Sequence, residues 1–331
     1  MKPTILFGGT NRERLVAVAS AQAVSAALPE ADLWFWSSDG QVQATDGATL
    51  AAHQRPFELD FRATGEVIGS IEAALDRAKA EDRVLVLSLH GGAAENGELA
   101  ALCEARGVAF TGSGATASRL AFDKAATKAK VAERGVSVPG QVQVESAALG
   151  LTQYGKLVAK PVAEGSSYGL MFISTAADLA ALAEAATREA YLVEPFVAGV
   201  EATCGVLQGD DGELVALPPI EIVPADGAFD YASKYLAAGT QEICPARFGD
   251  EVNAALQEAA LKAHRAVGAL GYSRSDFIVT DAGVIFLEIN TLPGLTKASL
   301  YPKALATYGV NFADFLHGQI ALAEARAAET P

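Results

Sequence analysis

Two continuous apolar runs in this chain each end in paired glycines. Residues 4–7 (Thr-Ile-Leu-Phe) are closed by Gly8-Gly9, and residues 84–89 by Gly91-Gly92 after His90. A run without polar alternation suits a strand covered on both faces, and the glycines suit tight turns at its end. A helical pattern fills about residues 13–28 behind the first run. Strand, glycine turn, helix and strand predict a parallel sheet flanked by helices, whose ligands lie beyond the carboxyl ends of the strands.

The remaining length needs more than one core. The chain has 331 residues, half of them hydrophobic, which is enough for two or three packed domains. The first is expected over residues 1–112, ending at the turn Thr111-Gly112-Ser113-Gly114. A second, 113–198, would hold a helix at 123–134 stopped by Gly135, strands at 156–161 and 170–173 around a glycine-serine loop, a helix at 177–190 and a strand at 191–196. The third, 199–331, would hold strands at 202–207, 220–223, 275–279 and 284–289, with helices at 251–270 and near the C-terminus. The class is α/β (α+β).

Forty acidic against 25 basic side chains give a net charge of -15, which disfavours a nucleic acid or an anionic membrane as partner. Cys103, Cys204 and Cys244 are odd in number and lack metal-ligand spacing, as expected of reduced thiols. The opening apolar run is too short for a signal-peptide core, and no stretch of 18 apolar residues occurs. A cytoplasmic protein is expected.

Four features carry chemistry. Arg274-Ser-Asp276 and Glu288-Ile-Asn290 flank a turn at Asp281-Ala-Gly283, so a β-hairpin would gather three oxygen-bearing side chains beside a guanidinium. Such a set suits Mg²⁺, or it is a solvated polar face. Lys160 followed by Gly165-Ser166-Ser167 can hold phosphates, or it is an ordinary hairpin turn. Lys124 opens a helix, where a cation is mildly unfavourable, so it answers to a phosphate or is a surface lysine. His90 stands at the ligand edge of the first sheet, as a site residue or a satisfied loop histidine.

In order and wording these pieces resemble the D-alanine–D-alanine ligases, a branch of the ATP-grasp superfamily, over nearly the whole chain. The anchors are Gly8-Gly9-Thr-Asn-Arg-Glu13-Arg14, Leu89-His90-Gly, Thr111-Gly-Ser-Gly114, Asp123-Lys124 and Lys160-Pro…Glu-Gly-Ser166-Ser-Tyr-Gly169. Then follow Glu194-Pro-Phe-Val-Ala-Gly-Val-Glu201, Asp230-Tyr231-Ala-Ser-Lys234-Tyr235, Arg274-Ser-Asp276 and Leu287-Glu288-Ile-Asn290-Thr-Leu-Pro-Gly294…Ser299-Leu300. The resemblance implies an ATP-grasp fold, with an N-terminal parallel-sheet substrate domain before two α+β domains that sandwich ATP. It implies that Lys124, Lys160 and Lys234 hold the ATP phosphates, Glu194 and the Phe196-Val197 backbone the adenine, and Glu201 the ribose. Asp276, Glu288 and Asn290 would bind two Mg²⁺ ions, for which Mn²⁺ can substitute. Arg274 and the Gly294 backbone would stabilise the oxyanion. Glu13 would hold the first D-alanine's ammonium with His90 close by, Ser299-Leu300 would fix the second substrate, and Ser166 and Tyr235 would connect with Glu13 across the closed site.

That chemistry needs positioning and charge neutralisation rather than a protein nucleophile, because a carboxylate is first made an acyl phosphate. The loop 230–240 is expected to shut over it as a lid. The resemblance further implies peptidoglycan precursor synthesis and a homodimer. Four places depart from the family's pattern: Leu15 and Ala17 in the first helix, the stretch Ala93-Ala94-Glu95-Asn96 after His90-Gly, and Pro195. They bear on the amino-acid pocket and the adenine side, not on the metal or phosphate residues. Rival readings are a D-lactate or D-serine ligase, another ATP-grasp carboxylate–amine ligase, and a nucleotide-binding regulator. Lys234-Tyr235 argues against the lactate version, and the complete metal set argues against the regulator.

Overall fold

The computed structural model describes residues 1–163, 165, 168–209, 211–224 and 240–329. The first sheet contains β1 (Lys2–Gly8), β2 (Asp32–Trp36), β3 (Gln41–Thr45), β4 (Val67–Ser70), β5 (Arg83–Leu89) and β6 (Ala109–Phe110), in the order β4-β3-β2-β1-β5-β6. β1 is parallel to β2 and β5, and β6 to β5, as the apolar runs predict. β5 is buried along its whole length, so both its faces are covered. The β3–β4 edge departs from a purely parallel sheet, for β3 pairs antiparallel with both β2 and β4. Residues 37–40 make a hairpin turn closed by Gly40 N–H donating to Ser37 O (3.0 Å), and such a link is too short for a parallel crossover.

Where β1 ends, Gly8 adopts φ +98°, and a Cβ there would overlap the Trp36 carbonyl and the Phe35 ring. The glycine therefore lets the chain turn flush against β2. β2 lies on one side of β1 and β5 on the other, so the loops leaving β1 and β5 start side by side and diverge. Open sheets bind ligands at such a switch point.

The second sheet, β8 (Met171–Ile173), β7 (Leu157–Pro161) and β9 (Tyr191–Pro195) in that order, is antiparallel throughout. Its core is Leu157, Ala159, Ile173 and Val193 with Leu182 from the helix Ala176–Ala185. The third sheet is β13 (Gln241–Ile243), β12 (Ile220–Val223), β10 (Val200–Gln208), β14 (Tyr272–Thr280) and β15 (Gly283–Asn290), with β11 (Leu214–Ala216) beside β10. The helix Asp250–Val267 covers it with Leu256, Ala260 and Ala263, and Gly268 stops that helix in the left-handed region.

The last helix, Phe312–Glu329, returns to the first sheet. Arg326 donates to Phe110 O (2.5 Å) and Gly112 O (2.8 Å), and the Met1 ammonium meets Glu324 at 3.0 Å. Cys103, Cys204 and Cys244 are free thiols.

Candidate active site

The carboxyl end of the first sheet and one face of the β14–β15 hairpin enclose a cavity of about 180 Å³. Glu13, His90, Lys124, Arg274, Glu288, Asn290, Gly294, Ser299 and Leu300 all line it, although the first and the last stand 287 positions apart in the chain. Three helices begin there. Glu13 and Ser299 hold the N-cap positions of Arg14–Ala27 and Leu300–Tyr308, yet neither side chain caps its own helix. Lys124 is the first residue of Lys124–Ala132, which Asp123 caps by accepting from Ala126 N–H (2.9 Å). The positive ends of three helix dipoles thus meet one cavity, which favours anions.

The loop after β1 is shaped by Asn11, whose Oδ1 accepts from Glu13 N–H (2.7 Å) and whose Nδ2 donates to His90 O (2.8 Å). This aims the Glu13 carboxylate at Gly91, where any Cβ would overlap it, and at Gly165 across the cavity. The His90 ring is buried. Its Nδ1 donates to Leu292 O (3.1 Å), so Nε2 accepts from the Ser20 hydroxyl (2.9 Å), which in turn accepts from Leu295 N–H (3.4 Å). Burial pushes the imidazole down to about 4, so His90 is a neutral clamp between β5 and the 292–295 loop. Glu95, beside it, is pushed up to about 8 by burial first and by the charge of Glu13 second.

β14 and β15 pair as the hairpin predicts, with Arg274 opposite Asn290 and Asp276 opposite Glu288, so all four side chains share a face. The register then shifts: Asp276 faces Glu288 but Phe277 faces Phe286, leaving Leu287 as a bulge. Strict alternation would put Phe286, Glu288 and Asn290 on one face. The bulge instead sends Phe286 into the core against Phe277 (ring centroids 5.8 Å apart) and keeps Glu288 and Asn290 on the cavity side. Asp276 takes two hydrogen bonds from Arg274 (2.9 Å each) and one from Thr203 (2.7 Å). Glu288 lies 3.5 Å from Lys124, and Asn290 Oδ1 accepts from Leu292 N–H (2.8 Å). Among the described residues no three His, Cys, Asp or Glu side chains form a metal-binding group, the expected set being two carboxylates and an amide.

The second phosphate lysine lies apart from this cavity's lining. Lys160 on β7 sits 3.4 Å from Glu194 on β9, and Glu194 is also paired with Lys128. Burial pushes the Lys128 ammonium down to about 8. Phe196 N–H donates to Lys156 O (3.0 Å), which narrows its expected backbone contact to the carbonyl and to Val197. Lys156 lies over the Phe196 and Phe172 rings, 3.9 and 4.8 Å from their centroids. Glu201 is the second residue of β10, two residues before Thr203, which faces Asp276, so Glu201 shares that face of the third sheet. Ser166, Lys234 and Tyr235, and almost all of the expected lid, lie outside the described residues.

Phe57, Glu95, Glu242 and Thr296 also line the cavity and were not singled out from sequence. Glu95 alone carried a signal, as the acid within the stretch Ala93-Ala94-Glu95-Asn96 that departs from the family's pattern. Asn96, one of the departures, accepts from the N–H of Glu98 (2.9 Å), the first residue of the helix Glu98–Arg106.

Two family models match the chain. "D-ala D-ala ligase N-terminus" covers residues 2–113 and "D-ala D-ala ligase C-terminus" residues 140–321. A D-alanine–D-alanine ligase from Oleidesulfovibrio alaskensis is 40% identical, over 97% of this chain and 95% of its own. One from Syntrophotalea carbinolica is 34% identical, over 98% and 97%. The crystal structure of a D-Ala:D-Ser ligase from Enterococcus faecalis superposes with a TM-score of 0.80 at 28% identity, covering 97% of this chain and 99% of that one.

Proposed function

The chain belongs to the D-alanine–D-alanine ligase family, and from that premise we propose that it joins two D-alanine molecules at the expense of ATP through an acyl phosphate. One observation carries the reading: a cavity that gathers helix N-termini, Lys124 and Arg274 with Glu13, Glu95 and Glu288. Such a site can hold anionic carboxylate and phosphate groups and an ammonium together. Its volume of about 180 Å³ is below the roughly 300–1,000 Å³ of drug-sized pockets, which suits small amino acids.

Glu13 and Glu95 would receive the first D-alanine's ammonium. A cation placed beside them would favour ionisation of Glu95, which burial and the Glu13 charge otherwise oppose. The substrate carboxylate would then attack the γ-phosphorus of ATP, releasing ADP and leaving D-alanyl phosphate. Lys124, Lys160 and Lys234 would neutralise the phosphates, with Glu194, Phe196 and Val197 on the adenine and Glu201 on the ribose. The second D-alanine, held by Ser299 and Leu300, would add its amine to the acyl carbon. Arg274 and the Gly294 backbone would stabilise the oxyanion until phosphate leaves and carries off the amine's proton. Ser166 and Tyr235 would close the site over Glu13.

Asp276, Glu288 and Asn290 offer oxygen donors on one face of the β14–β15 hairpin and fit magnesium. The two carboxylates face each other directly, which is unfavourable without cations nearby, here Arg274 and Lys124. Bound there, magnesium would neutralise charge on the phosphates. The division at residues 112 and 198 goes with this reading, supported by the confinement of each sheet to one unit. So do a cytoplasmic homodimer and peptidoglycan precursor synthesis, on the strength of the family likeness. Sedimentation tests the dimer.

The deciding experiment incubates the protein with ATP and magnesium and with D-alanine, L-alanine, D-serine or D-lactate, then identifies products by mass spectrometry. D-Alanyl-D-alanine with ADP release is expected, and no turnover with L-alanine. Equal turnover of L-alanine would refute the substrate assignment. A mixed dipeptide preferred in competition would favour the D-serine activity of the Enterococcus faecalis structure.

A further inference from the structure

Lys128 has no role in the site described so far, yet it is among the most deeply buried charges of the described residues. The helix Lys124–Ala132 puts it one turn beyond Lys124, with its side chain 7% exposed. It forms an ion pair with Glu194, itself 3% exposed, and the other oxygen of that carboxylate lies 3.4 Å from Lys160. Two ammonium groups therefore share one buried carboxylate. We propose that Lys128 is a positioning residue for the nucleotide: by holding Glu194 it lets Lys160 leave that carboxylate for the ATP phosphates.

Charge balance around Glu194 decides where Lys160 can go. With Lys128 in place, departure of Lys160 leaves a neutral pair, Lys128 and Glu194, in the protein interior. Without Lys128, the same departure would strand an unpaired carboxylate, which is strongly disfavoured in a buried position. Lys160 would then stay on Glu194 and be lost to the phosphates. The inference rests on the reading of Lys160 as a phosphate ligand and adds a condition for it.

Calorimetric titration of the intact protein with ADP and with adenosine tests this. The ratio of the two dissociation constants reads the hold on the phosphates apart from the base. Lys160→Met is expected to lower the ADP preference about tenfold, and Lys128→Met to lower it comparably. The double variant Lys128→Met/Lys160→Met should be no worse than either single one, because both remove the same contact. Lys128→Met/Glu194→Gln, which leaves no anion to trap Lys160, should recover most of the preference. Lys128→Gln keeps a donor to Glu194 without its charge, and provides the same reading should Lys128→Met fold poorly. An unchanged preference in the Lys128 variants beside a lowered one in Lys160→Met would overturn the proposal alone. No change in Lys160→Met would overturn the phosphate reading with it.

Discussion

Glu288 and Glu95 are both acids on one cavity, and their surroundings give them opposite tasks. Glu288 stands beside Lys124 and opposite Asp276, where an ionised carboxylate can serve a hard cation. Glu288→Gln should lower kcat by on the order of a hundredfold or more while circular dichroism stays unchanged. Wild-type turnover at ordinary magnesium would make the residue merely a strand-face acid. Glu95 is pushed up to about 8 from 4.5 by burial and by Glu13. A raised acid favours the protonated folded form, so its contribution is full below 4.5 and is lost as pH rises towards about 8. In the absence of substrate, Glu95→Gln should therefore gain in Tm relative to wild type between about pH 5 and about 8. A difference in Tm independent of pH would mean that Glu95 does not titrate in that window.

The β14–β15 hairpin shows how an element turns residues into a site. Its turn, its strand pair and the shared face of Arg274 and Asp276 all follow from spacing. The bulge at Leu287 does not, because nothing in Phe286-Leu287-Glu288 breaks strand character. It arises where Phe286 must reach Phe277 and the helix Asp250–Val267 on one side while Glu288 faces the cavity on the other. Phe286 is fully buried, so Phe286→Ala should cost about 3–5 kcal/mol in urea unfolding. A loss below about 1 kcal/mol would show that the hairpin does not depend on that packing.

At the scale of the whole molecule, a helix from late in the chain comes back to the first sheet. The helix Phe312–Glu329 packs on the first sheet, and Arg326 satisfies two backbone carbonyls there while lying 4.3 Å from the Phe110 ring centroid. Arg326→Ala strips both carbonyls of a charged donor and should cost about 2–3 kcal/mol. Measured as a shift in thermal unfolding, a change within about 0.5 kcal/mol would mean water replaces the guanidinium without loss.

Sequence alone determined what local chemistry can encode. Apolar runs closed by glycines specified β1 and β5, alternation around Asp281-Ala-Gly283 specified the hairpin, and the ordered anchors from Gly8 to Leu300 specified the family. Tertiary structure alone decided three things. The antiparallel edge β3–β4, whose strands are short and partly exposed, carries little apolar signal of its own. In sequence His90 is equally a site residue or a satisfied loop histidine, and only the fold binds its two nitrogens to Leu292 and Ser20, partners 202 and 70 residues away, while leaving it on the cavity wall. Lys128 reads as one lysine in an ordinary polar helix, because its burial depends on β9 bringing Glu194 to it. Ring partners, burial and ion pairs between distant segments are properties of packing, and no window of sequence contains both sides of them.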